Sequence, residues 1–113
     1  MSLTKASTVH IERTPVEVLD YMEHAFFPVR PFVEVQVHRR AGSATGMVRT
    51  GGSPSRLTVG CSPAGQGSTV TVTWALLSDS GLVGLLAGRK LQNTAVETAQ
   101  VIKREAEARP PSA

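Results

Sequence analysis

The histidines and the cysteine are the residues of this chain best suited to ligate a metal ion or act as a nucleophile. His10, His24 and His38 follow one another at intervals of 14 residues. A zinc site needs three or four converging ligands, but the alternation of the flanking residues turns His10 and His38 toward solvent. Cys61 falls on the apolar face of its predicted strand, where a thiol usually packs in the core. We therefore predict no metal and no cofactor.

Two patterns that would indicate phosphate binding or acyl transfer are incomplete. The glycine-rich segment 81–90, GLVGLLAGRK, lacks the Gly-x4-Gly-Lys-Ser/Thr spacing of a phosphate-binding loop. No Gly-x-Ser-x-Gly elbow occurs. Small residues where a helix starts close to a sheet account for these glycines. We leave enzymatic activity uncertain and favour a binding role.

The remaining candidates would line a pocket beneath the C-terminal helix. Tyr21 and His24 are three residues apart, so both can project to one side as an acid–base pair; a histidine that caps the helix is the alternative. Trp74 suits either the core or the wall of a hydrophobic cavity, with its indole N–H as a polar handle. The predicted ligand-binding residues are Tyr21, Met22, His24, Met47, Trp74, Leu85, Leu86 and Arg89.

The composition indicates one globular domain over residues 1–113, with an ordered core at about 6–108. The chain has 113 residues, of which 41% are hydrophobic and 19% charged, as expected for a soluble fold. It has no apolar run of the length a membrane span needs and no leader-type segment at its N-terminus. With a single cysteine, these features predict a cytoplasmic protein.

Positive charge is concentrated in the middle of the chain. The net charge is +3, yet the segment from Arg39 to Lys90 has six basic residues and one acidic residue. This excess favours an acidic ligand or partner. Aromatic residues make up 4% of the chain and do not interleave with the arginines, so we expect no nucleic-acid binding.

The first third of the chain predicts a strand, a helix and a second strand. Residues 6–13 alternate, and the segment Thr14-Pro15-Val16-Glu17 is a capping box that opens a helix. This helix should end near Phe27, because the residues before Pro28 and Pro31 are biased away from helical geometry. Residues 32–40 alternate again, and three valines should face inward, at positions 33, 35 and 37.

The rest of the chain predicts an antiparallel meander followed by a long helix. Three strands at 44–50, 56–62 and 68–77 are separated by short glycine-containing turns. Helical spacing of apolar residues then runs from about Leu82 to Glu107, with Leu91, Ala95 and Ile102 on one face. The fold class is α+β, with a five-stranded curved sheet that grips the C-terminal helix.

This order resembles the START-like helix-grip superfamily (SRPBCC), which includes polyketide cyclases/dehydrases, lipid-transport proteins and Bet v 1-like proteins. The resemblance is carried by STVHIERTPVEVLDYMEHAFFP, VRPFVEVQVHR, SPAGQGSTVTVTWAL and LQNTAVETAQVIKREAEA, which lie between Ser7 and Ala108. It implies a hydrophobic ligand, such as a lipid, polyketide or aromatic metabolite, bound between sheet and helix. Members usually have six or seven strands, so this chain is a shortened member.

Two alternatives remain open at this stage. A sheet that is short by a hairpin would leave an edge for another subunit, which indicates a homodimer or partner-binding module without a cavity. A cyclase or dehydratase is the second alternative, and it requires an inward acid or base.

Overall fold

The computed structural model describes residues 3–49, 54–77 and 84–111, with the backbone alone for 84–87. Along the chain the elements are β1 Leu3–Ile11, α1 Pro15–Tyr21, a π-helical turn Met22–Phe26, β2 Phe32–His38, β3 Ser43–Val48, β4 Ser55–Ala64, β5 Gly67–Leu76 and α2 Gly84–Ala108. The strands form one antiparallel sheet in the order β1-β5-β4-β3-β2. This confirms the predicted α+β architecture.

Local sequence determines the start of α1. The Thr14 side chain accepts a hydrogen bond from the backbone N–H of Glu17 at 3.3 Å, and the Glu17 carboxylate accepts one from the Thr14 N–H at 2.9 Å. The predicted capping box is therefore confirmed. The helical segment ends as expected before Pro28, but its last turn, Met22–Phe26, is π-helical rather than α-helical. This wider turn changes the direction of the side chains that follow Tyr21.

The second strand differs from its predicted alternation. Val33 and Val35 are exposed, at 44% and 39%, whereas Val37 is half-buried and packs against the core. The register shifts between Val33 and Gln36, which is a β-bulge at the sheet edge, and Glu34 within it has a φ of 52°. The extra residue breaks the two-residue period, so the prediction for Val33 and Val35 was wrong.

Gly46 on β3 allows two aromatic rings to pack directly on the sheet. A methyl group at this position would lie 2.8 Å from Cε1 of Phe27 and 2.9 Å from Cδ1 of Phe32. Neither contact is sterically tolerable without movement of a ring. The absence of a side chain at Gly46 therefore determines where Phe27 and Phe32 lie.

The long helix α2 packs on β1 and β5. Small residues on its inner face bring the helix close to the sheet, and its buried hydrophobic residues are Leu91, Ala95, Ala99, Ile102 and Ala106. The prediction for Leu91, Ala95 and Ile102 is confirmed. Neither α1 nor α2, as far as the structure describes them, is both long and apolar enough to cross a membrane.

Side chains of α2 also cover the outer edge of β1. Gln92 and Lys103 donate hydrogen bonds to the carbonyl oxygens of Ala6 and His10, at 3.1 and 2.6 Å. The Glu107 carboxylate accepts a hydrogen bond from the Glu12 N–H at 2.8 Å. These bonds use backbone groups that would otherwise be available for strand pairing.

Candidate ligand-binding site

All five tryptophan, tyrosine and phenylalanine residues of the chain lie in one continuous aromatic cluster. The sequence contains one tryptophan, one tyrosine and three phenylalanines, and their rings contact in the series Tyr21, Phe26, Phe27, Phe32 and Trp74. The centroid separations run from 5.0 Å to 6.2 Å. A chain with few aromatic residues therefore places them all in one region, which extends from the π turn across the sheet.

Phe32 and Trp74 form the less buried end of this cluster. Their rings are stacked, with centroids 6.0 Å apart and planes inclined by 29°, although β3 and β4 lie between their strands in the sheet. Curvature of the sheet brings the two rings together across its concave face. Both residues are half-buried and pack on the core.

The polar atom of Trp74 is already paired. Its indole N–H donates to the hydroxyl of Thr98 on α2 at 3.0 Å, and that hydroxyl donates to the carbonyl of Thr94 at 2.7 Å. The indole plane is therefore fixed between sheet and helix, with its apolar surface against Phe32. Stacking, rather than hydrogen bonding, is the interaction that Trp74 can offer a ligand.

Tyr21 is buried, with 2% of its surface exposed, and its hydroxyl donates to the Glu105 carboxylate at 2.5 Å. Burial raises the pKa of Tyr21 above its ordinary value of 10.0, and the hydrogen bond to Glu105 raises it further. The phenol therefore stays protonated at neutral pH and acts as a donor rather than as a base.

Arg30 lies beside the aromatic cluster, on the segment between the π turn and β2. Its guanidinium stands 4.0 Å above the centroid of the Phe26 ring, a cation–π contact. It donates one hydrogen bond to the Phe26 carbonyl at 3.0 Å, and its second terminal nitrogen lies 3.8 Å from the Glu105 carboxylate. Its side chain is 29% exposed.

Thr98 and Glu105 place the two ends of this site on one flank of α2. They are seven residues apart, so they share a helix face and are separated by about 10 Å along the axis. Val101 lies between them, half-buried against the core. A continuous series of contacting side chains thus runs from the indole of Trp74 through Phe32 and Phe26 to the guanidinium of Arg30. We call this region the Trp74–Arg30 cleft.

Three of the predicted ligand-binding residues lie in or next to this cleft. Trp74 and Tyr21 do so as described above, and Met22 is fully buried in the core beneath. Leu85 and Leu86 lie in the first turn of α2, where the side chains are outside the described part of the structure. Whether they line the cleft stays a prediction.

His24 does not face the same side as Tyr21. The His24 side chain is exposed, and its Nδ1 lies 3.1 Å from the carbonyl oxygen of Asp20. The π turn that begins at Met22 is wider than an α-helical turn, so a spacing of three residues no longer places two side chains together. The structure therefore does not bring Tyr21 and His24 together as an acid–base pair, and the contact of His24 with the Asp20 carbonyl agrees with the alternative of a histidine that caps the helix.

Met47 and Arg89 also lie away from the cleft. Met47 alternates with Gly46 and pairs with Arg56, and it lines a shallow depression on the outer face of the sheet. Arg89 is exposed, and helical spacing puts it on the flank of Lys103, which contacts β1. Met47 therefore does not lie on the inner face, and whether Arg89 contacts a ligand stays a prediction.

Sequence reasoning missed Arg30, Phe32, Thr98 and Glu105. The seven-residue spacing of Thr98 and Glu105 is visible in the sequence and indicates a shared helix face. Nothing local indicates that this face meets Trp74 and Arg30, because each contact joins residues far apart in the chain. The contribution of Phe32 depends on Gly46, which is also distant in sequence.

The described residues contain one group of side chains with the spacing of metal ligands and one cysteine. The carboxylates of Asp20 and Glu23 lie near His24, with ligand atoms within 4.8 Å, and the Arg39 guanidinium pairs with both carboxylates, which offsets half of their negative charge. Burial raises the pKa of Cys61 to about 12, so its thiol is protonated at neutral pH.

Comparison with solved structures identifies the fold. A member of the major latex protein family from Arabidopsis thaliana superposes with a TM-score of 0.65 at 16% identity, covering 96% of both chains. The chain has the helix-grip fold. Ara h 8.0201 gives a TM-score of 0.64 at 8% identity and covers 95% of this chain and 96% of its own. No protein-family model matches the sequence of this helix-grip chain, and no curated protein matches it.

A biosynthetic protein has a more distant resemblance. The di-domain ARO/CYC BexL from the BE-7585A biosynthetic pathway superposes with a TM-score of 0.50 at 14% identity, over 96% of this chain and 51% of BexL. These superpositions establish the Bet v 1-like helix-grip architecture that the sequence predicts, and at identities this low they establish the fold alone. They do not carry over a ligand or an activity.

Proposed function

We propose that this helix-grip protein binds a hydrophobic aromatic small molecule in the Trp74–Arg30 cleft. The observation that carries the proposal is the gathering of all five aromatic residues in one cluster, with the half-buried Phe32–Trp74 stack at its less buried end. The site joins a large apolar surface to a few fixed polar groups, as small-molecule sites do. The helix-grip architecture supports a ligand between sheet and helix.

Phe32 acts as the occupant of the site when no ligand is bound. Its ring covers the indole of Trp74, and an aromatic ligand replaces this contact with a similar one. A ligand that buries about 200 Å² of apolar surface gains roughly 5 kcal/mol before the entropic cost of binding. The hydrogen bond between Trp74 and Thr98 remains intact during this exchange, so the indole stays in place to receive the ligand.

We favour binding over catalysis because the candidate acid–base pair does not assemble. His24 faces solvent, and the raised pKa of Tyr21 keeps the phenol protonated. Its proton is already committed to Glu105. These groups orient a ligand, whereas cyclisation or dehydration requires a base within reach of the reacting carbon.

Titration with the neutral probe N-phenyl-1-naphthylamine tests the proposal. Trp74 is the single tryptophan, so energy transfer from its fluorescence to the bound probe reports proximity to this residue alone. We expect saturable binding to the protein, and weaker binding to Trp74→Leu. Val96→Ala, an exposed change on the opposite flank of α2, is the control and should bind normally. Absence of saturable transfer in the wild-type protein would refute the proposal.

A further inference from the structure

We infer that Arg30 is the anion-recognition residue of the Trp74–Arg30 cleft, so that the ligand is an aromatic molecule carrying one acidic group. This inference rests on the proposed function and names its ligand class. Its basis is a guanidinium that is held in place at one end of an aromatic site and is only partly used. Phe26 positions the guanidinium through its ring and its carbonyl, and the Glu105 carboxylate forms only a long ion pair with it.

The hydrogen-bonding capacity of Arg30 is mostly unused among the described residues. A guanidinium has five N–H donors, and Arg30 uses one of them on the Phe26 carbonyl. The 3.8 Å separation from Glu105 is longer than a hydrogen bond. The ring of Phe26 fixes the guanidinium plane from one side, so the free N–H groups at its edge are oriented before any ligand arrives.

Glu105 does not use all the hydrogen-bond donors of Arg30, because its carboxylate also accepts a hydrogen bond from Tyr21. One carboxylate oxygen accepts the buried Tyr21 hydroxyl at 2.5 Å, and the other lies at the longer distance from Arg30. This arrangement holds the carboxylate close to Tyr21. A ligand carboxylate or sulfonate can therefore take two N–H groups of Arg30 in the paired geometry that arginine favours, while Glu105 keeps its bond to Tyr21.

The spacing along α2 of the residues that face Trp74 and Arg30 indicates the ligand's size. Thr98, which holds Trp74, and Glu105, which faces Arg30, are about 10 Å apart along α2. Two fused or linked aromatic rings span most of this length. A ligand with its rings on Trp74 and its acidic group at Arg30 therefore matches this spacing, and the positive net charge of +3 favours its approach.

Two probes with the same rings isolate the acidic group. 8-Anilinonaphthalene-1-sulfonate carries the sulfonate that N-phenyl-1-naphthylamine lacks. We expect the wild-type protein to bind the sulfonate about tenfold more tightly than the neutral probe. Arg30→Gln should abolish this preference, so that the two probes bind the variant with similar affinity. Arg104→Gln, which removes the same charge from an exposed position on α2, is the matched control and should retain the preference.

Glu105→Gln provides a second, independent readout. Removal of the competing carboxylate frees Arg30, so the ratio of sulfonate affinity to neutral-probe affinity should rise about threefold. If neither probe binds the wild-type protein near Trp74, the proposed function itself fails. If both bind there with equal affinity, or if Arg30→Gln and Arg104→Gln behave alike, the inference about Arg30 is overturned while the aromatic site stands.

Discussion

The phenyl ring of Phe32 on the edge strand β2 stacks on the indole of Trp74 on β5, with 6.0 Å between ring centroids. Two strands separate these residues in the sheet, so the contact exists only because the sheet is curved. It fills the concave face with a side chain from the protein itself. The indole is simultaneously held from the helix side by Thr98.

Phe32→Ala should lower the stability of the protein and raise its affinity for an aromatic ligand. The ring is half-buried, so its removal should lower the free energy of unfolding by about 2 kcal/mol. The vacated space adjoins Trp74, and N-phenyl-1-naphthylamine should therefore bind more tightly than to the wild-type protein. Urea denaturation and probe titration measure the two effects. Val33→Ala, one residue along but exposed at 44%, should change stability by less than about 0.5 kcal/mol. Loss of probe binding in Phe32→Ala would contradict the role given to this ring.

Tyr21 should not ionise while the protein is folded. Its pKa is raised by burial and by Glu105, so the folded state holds the phenolic proton more tightly than the unfolded chain. The resulting stabilisation is complete below pH 10 and is lost as the pH rises beyond it. Because Tyr21 is the single tyrosine, tyrosinate absorbance should appear only together with unfolding measured by circular dichroism. Absorbance that rises near pH 10 in a folded protein would show that this phenol is accessible.

The strained residue of the β2 bulge offers a stabilising substitution. Glu34 has a φ of 52°, a conformation that costs a residue other than glycine about 1 kcal/mol or more. Its exposed ion pair with Arg49 at 2.6 Å contributes little. Glu34→Ala removes the ion pair and keeps the strain, whereas Glu34→Gly removes both. We expect the glycine variant to exceed the alanine variant by about 1 kcal/mol in thermal or urea unfolding. Equal stability of the two would argue against strain at this bulge.

Acid should loosen the contact between β1 and the C-terminal end of α2. The Glu12 N–H and Lys103 lower the pKa of Glu107 below its ordinary value of 4.5. A lowered folded-state pKa gives stabilisation that is present above pH 4.5 and is lost as the pH falls further. Glu107→Gln should therefore flatten the dependence of melting temperature on pH below this value. Glu97→Gln, on an exposed part of α2, should leave the dependence unchanged, and identical profiles for both variants would contradict this account.

The parts of the fold that sequence predicts are those encoded locally. The capping box at Thr14 and Glu17 lies within four residues, and the alternation around Trp74 within one strand, so both follow from short-range geometry. The β2 bulge adds one residue to β2 relative to its partner strand, and the π turn is wider than an α-helical turn. These differences decided the side chain directions of Val33, Val35 and His24, and a regular period cannot reveal them.

The candidate site depends on contacts between distant residues. Trp74 was predicted from its strand, yet its neighbours Phe32 and Thr98 come from an opposite sheet edge and from α2. Arg30 reaches Glu105 only because the π turn and β2 bring it over Phe26. Packing of this kind is a property of the assembled sheet and helix, and no spacing within a single element indicates it.

The indole N–H signal of Trp74 in a ¹H–¹⁵N NMR spectrum tests the central claim most directly. The chain has one tryptophan, so this signal is unambiguous without further assignment. Titration with N-phenyl-1-naphthylamine should shift it saturably, because the ligand replaces Phe32 on the indole, and Val96→Ala should behave identically. A probe that binds while the Trp74 signal stays in place would contradict the claim that aromatic ligands enter the Trp74–Arg30 cleft.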